Sequence, residues 1–382
     1  MHESARLLGD LVRLPSVNPM GRAVPEAVAL EHRVTAYLED FFRGLGARYE
    51  RQPVAPGREN ILAFYDAPGA TRTLMLEAHQ DTVPPDNMTI EPFGARVEGD
   101  KLYGRGACDI KGGMAAMLTA FARVVREKPA GAANVVMACS VDEEFTFLGV
   151  QQMAQAGRKV DGAVVAEPTK LDVVTAHKGA VRWHLFTAGR ACHSSRPELG
   201  VNAIYRMARV LPAVEEFAEW LRGSRTDPLL GPPTLSVGII EGGTSVNTVP
   251  DRCRVEIDRR LVPGEEPAAA PGQLMDWLRQ RVPAELEYSC SEPWLSMPAL
   301  GARGSEDLVR RLGAAIDSVA GPHVVEVVPY GTDASTLSEA GIPSVVFGPG
   351  DIAQAHTRDE WVDLDEVERA SEILYRLTLD KN

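Results

Sequence analysis

A chain of 382 residues is longer than one ordinary domain and has room for two. Hydrophobic residues make up 45% and charged residues 24%, which excludes a disordered chain and fits a globular protein with a sizeable core. The formal net charge of −13 excludes nucleic acid and anionic membrane surfaces as partners, because phosphate binding needs clustered Lys and Arg.

The N-terminal MHESARLLGDLVRLPS carries Glu3 and Asp10 and lacks the apolar stretch of a secretory signal. No apolar run approaches the roughly 20 residues that span a bilayer. Cys108, Cys139, Cys192, Cys253 and Cys290 are scattered, odd in number and free of C-x-x-C pairs, so they read as reduced thiols of a cytoplasmic protein.

Strand and helix alternate through the first half. The short apolar stretch Thr73 to His79 reads as a buried parallel strand. After Gly112-Gly113, the residues Met114, Leu118, Phe121 and Val125 recur at helical spacing and form one buried stripe. Ala133 to Val141 and Gly162 to Ala166 read as two further buried strands, which gives a β-α-β rhythm and an α/β fold with a mainly parallel sheet. The texture changes near Lys178. Val181 to Thr187, Thr234 to Ile240 and Cys253 to Leu261 read as antiparallel strands, with a helix starting near Val201. Residues 178–294 are therefore expected to form an inserted α+β domain, leaving 1–177 and 295–382 as one discontinuous domain. Beyond Pro293 the α/β pattern resumes, with a helix from Ser305 to Val319 and a strand from Val324 to Val328. A helix from Ala334 to Ala340, a strand from Ser344 to Phe347 and a last helix carrying Val367, Ala370, Leu374 and Leu377 follow.

Ligands of open α/β sheets gather at the carboxyl ends of strands. At these ends the sequence places His79 and Asp81, then Asp142-Glu143-Glu144, then Glu167, and after the last strand the loop GPGDIAQAH ending at His356. Asp109 stands in GRGACDIKGG, just ahead of a helix. Taken singly, each has a plain alternative: His79-x-Asp81 a surface pair, Asp109 a helix cap, Glu143-Glu144 a solvated turn, Glu167 a partner of a nearby Lys, His356 a loop cap. Together, so many carboxylates at one end of a buried sheet repel one another and lose solvation. Two divalent cations resolve that conflict, and two His with three carboxylates suit zinc, with cobalt or manganese as substitutes.

The segments LEAHQDTVP, YGRGACDIKGG, DEE, AEPT, HSSRPELGVNA, GTSVNTVPDRC, DRRLVPGE, YGTDASTL and GPGDIAQAHTRDE run through most of the chain, preceded by LVRLPSVNP. In this order they resemble the co-catalytic zinc family that contains acetylornithine deacetylase, succinyl-diaminopimelate desuccinylase, aminoacylase-1 and the glutamate carboxypeptidases. The resemblance implies a zinc-hydrolase catalytic domain and makes the insert a lid and dimerisation domain. It implies two Zn²⁺ per chain, with Asp109 bridging, His79 and Glu167 on one ion, and Glu144 and His356 on the other. Asp81 is expected to hold the free ring nitrogen of His79, and Glu143 to act as general base. It also implies a cis bond between Asp109 and Ile110. In the insert, His193 is expected to stabilise the oxyanion, and Asn247 and Arg260 to bind substrate, Arg260 having pairing with Asp258 as its alternative. Arg259 falls on the opposite face of the same strand, so its loss is expected to do little to kcat/KM. Thr332 and Asp333 either line the site or start a helix. The implied activity is removal of an acyl group from a small N-acyl-L-amino acid by a homodimer, with a dipeptidase or carboxypeptidase on the same site as the alternative. A non-catalytic metal- or amino-acid-binding protein is the reading of another class, and it leaves Glu143 without a purpose.

Overall fold

The computed structural model describes residues 2–379. The chain folds into two compact units. One holds the residues up to Ala176, Gly301–Val327 and those from Thr332 on; the other holds His177–Leu300 with Val328–Gly331.

The first unit is built on an eight-stranded sheet in the order Arg48–Ala55, Arg58–Tyr65, Asn134–Ser140, Thr73–His79, Gly162–Val165, Ser344–Val346, Val173–His177, Val325–Val328. The four strands from Asn134–Ser140 to Ser344–Val346 are parallel, and antiparallel pairs flank them. The central strands are buried almost end to end, which is why they read as continuous apolar runs. Helix Gly112–Glu127 packs against helices Glu3–Val12 and Leu364–Thr378. Its Met114, Leu118 and Phe121 are buried and Val125 is partly so. In Leu364–Thr378 the stripe Val367, Ala370, Leu374 and Leu377 is buried as expected, and Asp363 caps the helix by accepting the Asp365 and Glu366 N–H groups.

The hairpin Arg48–Tyr65 and the strand Val173–His177 go beyond the strands expected from the sequence. The outer hairpin strand, RYERQPVA, lies at the sheet edge and buries none of its residues fully, so it carries no apolar run to mark it.

The second unit is an antiparallel sheet in the order Thr234–Gly242, Arg252–Leu261, Gly179–Ala188, Tyr288–Cys290. Helices Ala203–Ser224 and Ala270–Arg281 pack on each other, and Trp183, Phe217, Val255, Ile257 and Leu274 are among its core residues. Asn202 caps the first helix by accepting the Tyr205 N–H. The unit runs past the expected boundary at 294, because Leu295–Met297 also pairs with Gly179–Ala188. Strand Thr234–Gly242 forms one edge, with Ile239 and Ile240 exposed.

Candidate metal centre

Three of the parallel strands end side by side. Thr73–His79 delivers His79, Asn134–Ser140 runs into Asp142-Glu143-Glu144, and Gly162–Val165 leads to Glu167. Asp109 sits in the irregular turn Ala107–Lys111, where Asp109 and Ile110 leave helical geometry and the bond between them is cis. The glycines that follow permit close approach: a Cβ on Gly113 would stand 2.9 Å from the Cβ of Ala166, next to Glu167, and one on Gly112 2.7 Å from the Ala107 carbonyl oxygen.

These elements form two triads that share one residue. His79, Asp109 and Glu167 offer ligand atoms within 4.8 Å of one another, and so do Asp109, Glu144 and His356. His79 Nε2 lies 3.3 Å from Asp109 Oδ1, and His356 Nε2 lies 3.2 Å from Asp109 Oδ2 and 3.2 Å from Glu144 Oε2. Each oxygen of the Asp109 carboxylate thus faces a different histidine. Glu143 belongs to neither triad, but its Oε2 stands 3.9 Å from His79 Nε2.

Asp81 does something other than expected. The Nδ1 of His79 is 3.0 Å from the Asp81 backbone oxygen and 3.6 Å from its carboxylate. The carboxylate instead accepts the backbone N–H groups of Glu143 and Glu144, both at 3.1 Å. The carbonyl therefore holds the His79 ring, and the carboxylate holds the turn that presents both glutamates.

Burial disfavours every charge here. It pushes Glu143 and Glu167 well above the ordinary carboxylate range, although His79 opposes this, and neighbouring carboxylates add to it. The side chain of His356 is about half exposed, so it loses only part of its solvation, and its contacts to Asp109 and Glu144 raise it to about 11. His79 is likewise raised against its own desolvation, chiefly by Asp109 and Asp81. The centre is short of positive charge. Two triads of nitrogen and carboxylate donors around a shared carboxylate fit a pair of divalent cations, which would replace the protons now balancing it.

The sequence matches the model of peptidase family M20/M25/M40 over residues 75–380. The chain belongs to this family. It is 32% identical over 324 residues to an acetylornithine deacetylase of Myxococcus xanthus, covering 83% of this chain and 82% of that one. It is 31% identical over 373 residues to an acetylornithine deacetylase of Pectobacterium carotovorum, covering 95% and 94%. Among solved structures it resembles an M20-family metallo-carboxypeptidase of Sulfolobus solfataricus, with a TM-score of 0.80, 20% identity and coverage of 99% of each chain. The chain is thus a metal-dependent hydrolase of amide bonds, built on a scaffold that deacylases and peptidases share.

In this M20 hydrolase the residues named for the second unit have separate surroundings. His193 is exposed on the short strand Cys192–His193, paired with Thr248–Val249. Its Nδ1 accepts the Ser195 N–H at 3.2 Å, so in the neutral ring the proton sits on Nε2. Asn247 is close by, its backbone carbonyl accepting the Ser194 N–H at 2.9 Å. Arg260 does bond Asp258, through Nε at 2.7 Å and Nη2 at 3.2 Å. Arg259 is fully buried, and its Nη2 donates to Glu265 at 2.6 Å while Glu265 accepts the Val262 N–H at 2.8 Å, a structural role away from the substrate. Thr332 is buried in the first unit, its hydroxyl accepting the Ala334 N–H at 3.2 Å, which fits the start of helix Ala334–Glu339.

Sequence reasoning missed the residues that hold the M20 centre from behind. Glu360 is buried; its Oε1 accepts the Cys108 and Asp109 N–H groups at 2.9 and 3.0 Å, and its Oε2 pairs with buried Arg105 at 2.5 Å. Arg105 reaches Asn87 at 3.0 Å, and Asn87 donates to the His356 carbonyl at 2.9 Å. The only sequence signal was Glu360 in the segment HTRDE behind His356.

Proposed function

We propose that this hydrolase removes the acyl group from a small N-acyl-L-amino acid, of the acetylornithine or succinyl-diaminopimelate kind, with two zinc ions held by His79, Asp109, Glu144, Glu167 and His356. Cobalt or manganese would suit the same donors. The observation that carries the reading is the pair of triads joined through Asp109, with Glu143 beside them and outside both. The identity of 32% and 31% to acetylornithine deacetylases over most of the chain supports the substrate class.

Bound cations would acidify a water and polarise the scissile carbonyl. Glu143, fixed by the Asp81 carboxylate through its own N–H, takes the proton of the attacking water and passes it to the leaving nitrogen. The His193 Nε2–H supplies a donor to the developing oxyanion, Asn247 and Thr332 contact the substrate, and Arg260 binds its free carboxylate.

The enzyme works as a homodimer joined through the second unit, with His193 and Asn247 serving the partner's centre. The exposed Ile239 and Ile240 on the edge strand Thr234–Gly242, with exposed Tyr205 and Trp220 on the adjoining helix Ala203–Ser224, support such an interface. It acts in the cytoplasm; among the described residues no helix is long and apolar enough to cross a membrane.

The test is amine release by zinc- or cobalt-loaded protein from a panel of N-acetyl, N-succinyl and N-formyl amino acids and dipeptides, with elemental analysis for two ions per chain. Turnover of dipeptides alone makes it a peptidase, and full activity without any transition metal ends the metal reading.

A further inference from the structure

The segment PSVNP has no part in the chemistry described so far, yet it sends one side chain to the back of the centre. Asn18 is fully buried. Its amide nitrogen donates to Asp81 Oδ2 at 2.8 Å and to Asp142 Oδ1 at 2.9 Å, and its amide oxygen accepts the Met20 N–H at 3.0 Å. Its backbone N–H is held by the Thr82 carbonyl at 2.9 Å, so the residue is anchored through both backbone and side chain.

The two carboxylates it joins control the same turn. Asp81 accepts the N–H groups of Glu143 and Glu144. Asp142, the residue just before them, has a φ of 69°, a left-handed conformation that Asp tolerates better than most residues. Its side chain is gripped by Arg58 and by the Thr146 hydroxyl. Arg58 in turn is shared with buried Glu31, at 3.2 and 3.1 Å from its Nε, so it does not neutralise Asp142 alone. Asp81 and Asp142 are two buried carboxylates close enough to share one amide, and nothing in that arrangement attracts them to each other. Only a neutral group with two protons can bond both without adding charge, and Asn offers that in a fixed plane.

We propose that Asn18 is a positioning residue for hydrolysis. It clamps Asp81 to Asp142 and so fixes the direction in which Glu143 and Glu144 leave the strand end. This rests on the proposed roles of Glu143 as base and Glu144 as ligand. A small swing of this turn misplaces a proton acceptor and one ligand together, but leaves His79, Glu167 and any group that binds substrate where they were.

The experiment compares Asn18→Ala, Asn18→Asp and the pair Asn18→Asp with Asp142→Asn. It measures kcat and KM on the best substrate of the panel, Zn²⁺ binding to metal-free protein by calorimetry, and thermal unfolding. Asn18→Ala should stay folded and keep KM within about threefold, while kcat falls on the order of 10²-fold, the scale of a misplaced catalytic group. One Zn²⁺ binding step should weaken by about tenfold and the other by less than about threefold, because the Asp81 carboxylate bonds the Glu144 N–H at 3.1 Å but stands 3.6 Å from His79 Nδ1, a ring that the Asp81 carbonyl holds at 3.0 Å. Asn18→Asp puts a third carboxylate between the two and should be worse; adding Asp142→Asn restores a donor opposite it and should recover roughly tenfold in kcat. A kcat within about threefold of the parent in Asn18→Ala overturns the proposal. So does equal weakening of both Zn²⁺ steps with activity lost in step with folded protein and no recovery in the pair. If the parent turns over no substrate in the panel, the functional reading fails, and the Zn²⁺ isotherms still decide the part played by Asn18.

Discussion

Two neighbouring arginines on one strand should fail in opposite ways when truncated. Arg260 is about one-third exposed and bonds Asp258, but Asp258 also accepts Arg182 Nε at 2.7 Å. Arg260 can therefore turn toward a substrate carboxylate without leaving Asp258 unpaired. Losing a charge-assisted hydrogen bond of this kind costs about 1.5–3 kcal/mol, or roughly 10- to 150-fold in kcat/KM. Arg260→Ala should lose that much on free-acid substrates and much less on the corresponding amides, where there is no charge to lose. Arg259→Ala removes one member of a buried pair whose side chains are 0% and 13% exposed. Stranding Glu265 in this way costs about 3–5 kcal/mol. At about 2–4 °C per kcal/mol for a large domain, Tm should fall by roughly 6–20 °C, with kcat/KM per folded molecule nearly unchanged. The assays are initial rates on matched acid and amide substrates, and thermal unfolding of each variant. Equal losses by Arg260→Ala on acid and amide would mean that it props the strand through Asp258. An unshifted Tm in Arg259→Ala would refute the burial argument.

Glu143→Ala should retain two metal ions and a normal Tm while kcat drops on the order of 10²–10⁴-fold; metal content falling in step with activity would make Glu143 a ligand. The Asp109 and Glu144 carboxylates push His356 up to about 11, which favours its protonated form, and that proton must leave for the ring to ligate. Zinc binding should therefore release protons and tighten as pH rises from about 6 toward 9, read by calorimetry in buffers of different ionisation enthalpy. Binding that is independent of pH would contradict the protonated centre. Mixing inactive His193→Ala with inactive Glu143→Ala should regenerate activity if His193 serves the partner subunit, whereas a fully active monomer by light scattering rules that arrangement out.

Much of the first unit is legible in the sequence because its central strands are buried on both faces and its helices carry single apolar stripes. The illegible strands include the sheet's edge, where half-burial removes the apolar run. The candidate ligands are legible because strand ends are fixed by the strands themselves, and the structure brings His79, Asp109, Glu144, Glu167 and His356 into two triads. What lies behind them is not legible. Asn18, Glu31, Arg58, Arg105 and Glu360 are polar residues far apart in sequence, and nothing local distinguishes a buried Arg58 from the exposed Arg48. The expectation for Asp81 fails for a related reason. A His-x-Asp spacing fixes how near the carboxylate comes, but its direction depends on which N–H groups the neighbouring strand end presents, and here those of Glu143 and Glu144 are in place.

That supporting layer explains how the centre tolerates its own charge. Arg58 faces Glu31 and Asp142, and Arg105 faces Glu360, so these acids are compensated away from the triads. Asp109, Glu143, Glu144 and Glu167 receive no arginine or lysine ion pair among the described residues; their close partners are His79 and His356. Without cations only the two imidazoles balance these carboxylates, and burial raises Glu143, which favours its acid form over the basic one. Two divalent cations held by these residues would bring four positive charges, of which the carboxylates of Asp109, Glu144 and Glu167 would cancel three. The excess positive charge next to Glu143 would favour its ionised form, opposing the burial that raises it. Filling the centre would thereby turn Glu143 into the proton acceptor proposed for it, whereas an arginine supplied in place of a cation would quiet the repulsion but leave nothing to activate water.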